Sequence, residues 1–404
     1  MRKLALGLAA AIVSIPALVS LVGCKQNAEK TGDPATTPSA AASASATPAA
    51  KTIKIGLVTD VGGRGDQSFN DGALRGLEMW SAGKKYTAGG YAPLPDADFK
   101  SSVPVALKDS GIAPLGVTPV VLASKAQEDY EPNLGLLVSE KVDLAVGVGF
   151  MIENALEAAA KKSPETRFLL IDSPILDAQN KPYTLPNVQT VVFREHEGSF
   201  LAGALAGLAS KTGKIGFVGG MAIPLIKKFE AGYIAGIKTV NPKAAEQAKR
   251  VYTGSFDNSS AGKRAGLDLY GQGIDIVFHA AGADGLGVIQ AAKEQKKLAI
   301  GVDSDQAHLA PENVLTSMVK QVDYAIFMSV KSITANKFQP GDSALGLKEG
   351  GVGLAPVTID FPEKQAALAK VEKLRQAVID GKIKVPATLE ELQAFTPPAL
   401  DTLK

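Results

Sequence analysis

From Thr52 onward, short Val- and Ile-rich runs alternate with longer Ala-, Leu-, Lys- and Glu-rich segments, and this alternation leaves few architectures open. Thr52–Thr59, Pro119–Ala123, Asp143–Gly149, Arg167–Ile171 and Val188–Phe193 read as buried strands. A second set follows: Lys214–Gly219, Arg250–Tyr252, Ile274–Ala280, Leu298–Val302 and Val314–Val319. Helical patterns lie between them, among others at Ile152–Lys161, Ser199–Ser210, Lys227–Val240, Ala261–Gln272 and Asp284–Glu294. A strand that is apolar along its whole length must be covered on both faces, which means α/β architecture with parallel sheets. Two such sets exceed one comfortable core, so the body is expected to divide near Arg194–Glu197.

The strands run out in Asp60, Gly149, Asp172, Gly220, Gly282 and Asp303. Ligands of open parallel sheets collect at the carboxyl ends of strands, so these residues mark the candidate site. Two stretches break the pattern. Lys84–Gly116 has no clean period and is expected to be a long loop or insertion. After about Gly346 the chain reads as an extended stretch (Val352–Ile359), an amphipathic helix (Glu363–Ile379) and a short last helix (Leu389–Phe395).

Composition removes several classes of function. The 404 residues carry 43 Lys+Arg against 41 Asp+Glu, a net charge of +2, without the basic surplus that nucleic-acid binding needs. One cysteine forbids an internal disulfide or a Cys-rich zinc site, and three histidines leave little for a His-based metal site or triad. Asp303 and Asp305 could form a metal-binding pair, but no further ligand cluster accompanies them. Neither a metal nor a cofactor is expected.

Residues 1–23 read as a cleavable leader. Arg2 and Lys3 precede an apolar stretch from Leu4 to Leu21, interrupted by Pro16 and too short and Ala-rich for a membrane span. The stretch ends in Leu21-Val22-Gly23-Cys24, and that cysteine is the only one in the chain. This arrangement resembles a bacterial lipobox, which implies acylation of Cys24 and attachment to a membrane surface of the cell envelope, facing the periplasm or the exterior. Residues 24–51 are dominated by Ala, Ser, Thr and Pro and read as a flexible tether.

The segment from Asp60 to Asp71 is the most informative. A strand enters a loop with Gly62, Gly63 and Gly65, then Phe69 and Asn70 open a helix. The glycines let a ligand approach the backbone, Asp60 supplies an acceptor, and Asn70 supplies both donor and acceptor. The bland alternative is a helix cap at Asn70 or Asp71 with Phe69 as its hydrophobic staple. The loop lacks the Gly-Lys-Ser/Thr of a phosphate-binding loop and the strict dinucleotide fingerprint. Arg64-Gly65-Asp66 reads as a chance triplet.

This opening resembles that of the basic membrane protein family, also called the PnrA-like family, of ABC-transporter purine nucleoside receptors. Further blocks match in order: Asp143 to Phe150, Phe168 to Asp172, Phe193 to Gly203, Gly213 to Gly220, Phe229 to Gly236, Ala280 to Gly285, Gly301 to Gln306 and Thr316 to Lys320. The resemblance spans about Ile53 to Phe327. It implies a type I periplasmic-binding-protein fold, with two Rossmann-like lobes, a hinge of several crossings and a ligand between the lobes. On that pattern the first lobe takes 52–193 and about 320–345, and the second takes 194–319 and about 350–404.

In that family two phenylalanines sandwich the purine. By block position Phe69 matches one and Phe256 is the choice for the other, with Phe229 its rival. Asp60 and Asn70 match base-contacting residues. The family usually has an aspartate shortly after the Gly-Phe of the third strand, where this chain has Glu153 and Asn154, so Asn154 is expected to replace it. Asp303, Gly282 and Lys320 match the ribose-binding set. The resemblance thus implies a monomeric, lipid-anchored receptor that delivers a purine nucleoside to an ABC permease. Other readings keep the fold with riboflavin or a sugar as ligand, or make the chain a nucleoside hydrolase. A hydrolase would need an aspartate cluster holding a metal, or a positioned base and nucleophile, and the loop after Asp60 offers glycines and Phe69 instead. His196 and His279 read as structural, His308 as solvated, and Glu195 and Glu197 as hydrogen-bonding groups near the crossover.

Overall fold

The computed structural model describes residues 52–399; the leader, Cys24 and the tether lie outside the described residues. Every strand read from the sequence is present. The first lobe carries β1 (Lys54–Val58), β2 (Lys84–Thr87), β3 (Gly90–Pro93), β4 (Thr118–Leu122), β5 (Leu144–Val148), β6 (Phe168–Ile171) and β7 (Val188–Phe193). The second carries β8 (Ile215–Gly219), β9 (Lys249–Tyr252), β10 (Ile276–Ala280), β11 (Leu298–Asp303) and β12 (Val314–Lys320). The chain then lends β13 (Gly341–Leu345) to the first sheet and β14 (Val352–Leu354) to the second.

The two six-stranded sheets have the orders β13-β7-β6-β5-β1-β4 and β14-β12-β11-β10-β8-β9. All pairs are parallel except β12 with β14. In each sheet the first strand, β1 or β8, has its successor on one side and the next strand on the other. The order reverses there, and a crevice opens at the carboxyl ends of β1 and β5 and of β8 and β10. Both crevices belong to one site.

Helices cover the sheets. The first lobe has α1 (Phe69–Leu74), α2 (Asp96–Ser102), α3 (Tyr130–Ser139) and α4 (Glu153–Lys162). The second has α5 (Glu195–Ala209), α6 (Pro224–Val240), α7 (Pro242–Gln247), α8 (Ser259–Gly271) and α9 (Asp284–Gln295). Next, α10 (Val322–Thr334) packs on α1 and on the π-helical turns Arg75–Ser81, α11 (Lys364–Ile379) on α5, and α12 (Leu389–Ala394) on α6. Close approach of α5 and α6 depends on glycine: a Cβ at Gly203 would overlap the Tyr233 carbonyl oxygen, and one at Gly236 the Phe200 carbonyl oxygen.

The chain crosses between lobes at Arg194, after Lys320 and at Gly346–Gly351, and hydrogen bonds tie these crossings together. The Arg194 amide donates to the Leu345 carbonyl at 2.9 Å, the Leu347 amide to Glu197 Oε2 at 2.8 Å, and the Gln321 amide to the Gly351 carbonyl at 2.9 Å.

The two stretches that break the alternation take definite form. Of the two expectations for Lys84–Gly116, the insertion holds: between the Arg75–Ser81 turns and β4 it carries the β2–β3 hairpin, α2 and a 3-10 turn at Val105–Leu107. These close over a small core of Trp80, Leu107 and Phe327, and the Trp80 indole donates to Ser102 Oγ at 3.0 Å. Elements of three to seven residues are too short to display a period. Within the stretch Val352–Ile359, read as extended, Val352–Leu354 form a strand, and the ladder ends before Pro356, which cannot donate to it.

Candidate ligand-binding site

Asp66 organises the loop after β1. Its Oδ1 accepts from the amides of Ser68 (2.9 Å) and Asp71 (3.0 Å), and its Oδ2 from the amide (2.8 Å) and side chain (3.1 Å) of Asn70. These bonds satisfy amides at the start of α1, which otherwise have no intrahelical partner. Burial drives the Asp66 pKa up to about 6, although the amides of Asp71, Asn70 and Ser68 favour its charged form. Asn70 carries the chain of bonds onward: its Oδ1 accepts from the Asp60 amide at 2.9 Å. The Asp60 carboxylate accepts from the Tyr130 hydroxyl and from the Val61 amide (2.7 Å), yet burial still raises its pKa. Gly149, at φ 101°, packs against this carboxylate, and a Cβ there would overlap Oδ2.

Phe69 thus stands half-buried at the head of α1, facing the second lobe. Opposite it, Phe256 is seated on two glycines. A Cβ at Gly220 would overlap the Phe256 ring, and one at Gly282 (φ 54°) would lie 3.2 Å from its Cβ. Phe150 meets Phe256 edge to face across the lobes, with centroids 6.3 Å apart. Leu225, Ile226 and Phe229 of α6 complete the apolar wall. The cleft has about 590 Å³ of atom-free space, a figure that includes solvent at its open mouth.

The polar end of the cavity centres on Lys320, the last residue of β12. Its Nζ lies 2.5 Å from Asp172 Oδ2, 3.8 Å from Asp303 Oδ1 and 3.9 Å from Glu195 Oε1. It also lies 4.7 Å from the centroid of the Phe69 ring. Burial alone would lower the Lys320 pKa, but Asp172, Asp303 and Glu195 outweigh it and hold the pKa above the usual lysine value. Burial raises the Asp303 pKa against the pull of Lys320 and of the Ser68 hydroxyl, which donates to Oδ2 at 2.5 Å. Other bonds also cross between lobes, from Gln306 Nε2 to the Gln67 carbonyl (3.1 Å) and from Arg75 to Ser304 Oγ (3.2 Å).

Residues 53–388 match the model of the Bmp family, described as "ABC transporter substrate-binding protein PnrA-like". This chain belongs to the Bmp family. An "ABC transporter nucleoside-binding protein" of Lactococcus lactis is 32% identical over 355 residues, covering 83% of this chain and 89% of that one. An "uncharacterized lipoprotein" of Pyrococcus furiosus is 34% identical over 313 residues, 74% of this chain and 69% of that one. Among solved structures, an ABC transporter solute-binding protein of Aeropyrum pernix superposes with a TM-score of 0.67 at 28% identity, covering 85% of this chain and 96% of that one. The molecule is therefore an ABC-transporter substrate-binding protein with a type I periplasmic-binding fold, not an enzyme. It serves a small solute and a permease at the cell envelope.

In this Bmp protein, Asp60, Phe69, Asn70, Phe256, Gly282, Asp303 and Lys320 line one cavity, and Phe229 lines it as well. Asn154 does not: it is exposed on α4, and the carboxylate of its neighbour Glu153 accepts from the Leu176 amide at 3.0 Å. The tight turn Phe150–Ile152 puts Phe150 at the cavity wall and leaves the next two residues outside it. Sequence reasoning missed Asp66 and Phe150, while Asp172, marked there only as one of the strand ends at the candidate site, lines the cavity as well. The four-residue step from Asp66 to Asn70 was the available signal for an aspartate closing its own loop.

The remaining motifs have structural partners. Arg64 pairs with Glu78 at 2.6 and 3.0 Å while Asp66 is buried, so the Arg-Gly-Asp triplet is not displayed as a unit. Asp305 accepts from the Ala307 amide at 3.1 Å, and among the described residues no group of three or more His, Cys, Asp or Glu could hold a metal. His279 is fully buried against Gln306 at 2.9 Å, and burial depresses its pKa to about 4.

Proposed function

We propose that this protein captures a purine nucleoside between its lobes and presents it, as a monomer, to an ABC permease, held at the envelope by acyl chains on Cys24. One observation carries the reading. Phe69 and Phe256, from opposite lobes, line a single cavity whose polar end holds Lys320, Asp172 and Asp303. A flat heterocycle between two rings gains stacking and apolar burial, while charged groups beside it select hydroxyls. In this reading Phe69 and Phe256 hold the base, Asp60 and Asn70 read its edge, and Asp303, Gly282 and Lys320 hold the ribose. The nucleoside-binding relative from Lactococcus supports the ligand class, and the lipoprotein relative supports the anchor. The purine preference rests on the family resemblance.

Calorimetry on verified ligand-free protein tests the ligand. Inosine, guanosine or adenosine should bind, the matching free bases more weakly, and riboflavin and hexoses not at all. Binding of riboflavin or a hexose with no response to nucleosides would defeat the reading. For the anchor, Cys24→Ser should abolish incorporation of labelled palmitate, and labelling that persists would remove it.

A further inference from the structure

We infer that Asp172 is a specificity-determining residue that works with Lys320 to read one alcohol group of the ligand, an inference that rests on the nucleoside reading above. Asp172 ends β6 and lines the cavity, and its backbone sits in the left-handed region at φ 72°. Its counterpart at the end of β11, Asp303, is also left-handed, at φ 62°. Uncommon backbone conformations held at the mouth of a site are a pointer to function.

Each aspartate has its Oδ2 engaged, and the two differ in the burial of the other oxygen. Asp303 Oδ2 already accepts from the Ser68 hydroxyl at 2.5 Å. Asp172 Oδ2 takes the Lys320 ammonium at 2.5 Å, but its Oδ1 is buried with no hydrogen-bond partner. A buried carboxylate oxygen without a donor is costly, so a ligand that brings one is rewarded. Lys320 is complementary. An ammonium has three protons; one goes to Asp172, while Asp303 and Glu195, at 3.8 and 3.9 Å, lie beyond hydrogen-bond distance.

An open acceptor therefore stands next to open donors. One hydroxyl satisfies both, giving its proton to Asp172 Oδ1 and accepting one from Lys320. An ether oxygen cannot donate, and a phosphate dianion has no proton to give and is repelled by the carboxylate. The pair thus selects a free alcohol. Because the Lys320 Nζ lies 4.7 Å from the centroid of the Phe69 ring, this alcohol belongs to the part of the ligand adjoining the stacked base.

The test compares a purine ribonucleoside with its 2′-, 3′- and 5′-deoxy analogues by calorimetry, on ligand-free wild type and on Asp172→Asn. Wild type should lose about ten-fold or more in affinity at one of the three positions. In Asp172→Asn, whose neutral amide makes a weaker bond to the hydroxyl, the ribonucleoside should bind about ten-fold more weakly, and the penalty at that same position should shrink clearly while those at the other two positions stay unchanged. A residue that merely positions Lys320 would weaken all four ligands alike and leave the discrimination in place, which would overturn the inference. Wild type that binds the ribonucleoside but ignores all three deletions would overturn it without recourse to a variant. Failure of wild type to bind any nucleoside would instead bring down the nucleoside reading, and this inference with it.

Discussion

Phe69 is held in place from below by Asp66 and approached from the side by Lys320, so its ring is presented rather than buried. Aromatic stacking on a nucleobase is worth roughly 1–3 kcal/mol where such contacts have been removed in nucleic-acid binders. Phe69→Ala should weaken nucleoside binding by that amount with little change in melting temperature, and calorimetry showing unchanged affinity would take Phe69 out of the site. His279 makes a different residue-scale prediction. Its folded pKa of about 4 lies below the ordinary 6.5, so the unfolded chain takes up the proton first. Stability is then fully present above about 6.5 and declines as the pH falls toward 4, by on the order of 3 kcal/mol from this group. The melting temperature of wild type should therefore drop more steeply over this range than that of His279→Asn, and parallel profiles would contradict it. Asp60 and Asp303 were legible from sequence because they stand at strand ends, and Asn70 because it opens the helix after the glycine-rich loop. Asp66 was not, since its importance lies in four bonds that exist only once the loop has closed.

At the scale of elements, the α5–α6 pair shows how a small side chain sets a contact. Gly203 and Gly236 let the two backbones touch, and a methyl group at Gly203 would have to push the Tyr233 carbonyl away. Gly203→Ala should cost about 1–3 kcal/mol through this overpacking, read as a lowered midpoint of chemical unfolding. An unchanged midpoint would mean that the helices can part freely. The buried strands were readable because fully apolar runs such as Leu144–Val148 and Phe168–Ile171 admit no other burial. The short elements of 84–116 were not, and neither was β13, a polar edge strand whose residues alternate between half-buried and exposed. Periodicity reports burial, so an element with little burial or few residues leaves no trace in it. The displaced expectation at Asn154 has the same root: one tight turn at Phe150–Ile152 decides which residue faces the cavity.

For the whole molecule, the site exists only where the lobes meet. Asp60, Phe69, Phe150 and Asp172 come from the first lobe, and Phe256, Gly282 and Asp303 from the second. The bonds from Ser68 to Asp303 and from Gln306 to Gln67 join the same two bodies. A ligand that touches both lobes binds the closed arrangement better than an open one and must shift the population toward closure. Solution scattering should give a smaller radius of gyration when a purine nucleoside is added to ligand-free protein, and tight binding with an unchanged curve would contradict a hinge mechanism. The central claim is the identity of what lies between Phe69 and Phe256. Ligand-free protein can be incubated with an equimolar mixture of purine and pyrimidine nucleosides, riboflavin and hexoses, washed, denatured, and its released small molecules identified by mass spectrometry. An intact purine nucleoside, close to one per chain, is the expected result. Retention of riboflavin or a hexose in its place, or release of free base and ribose, would contradict it.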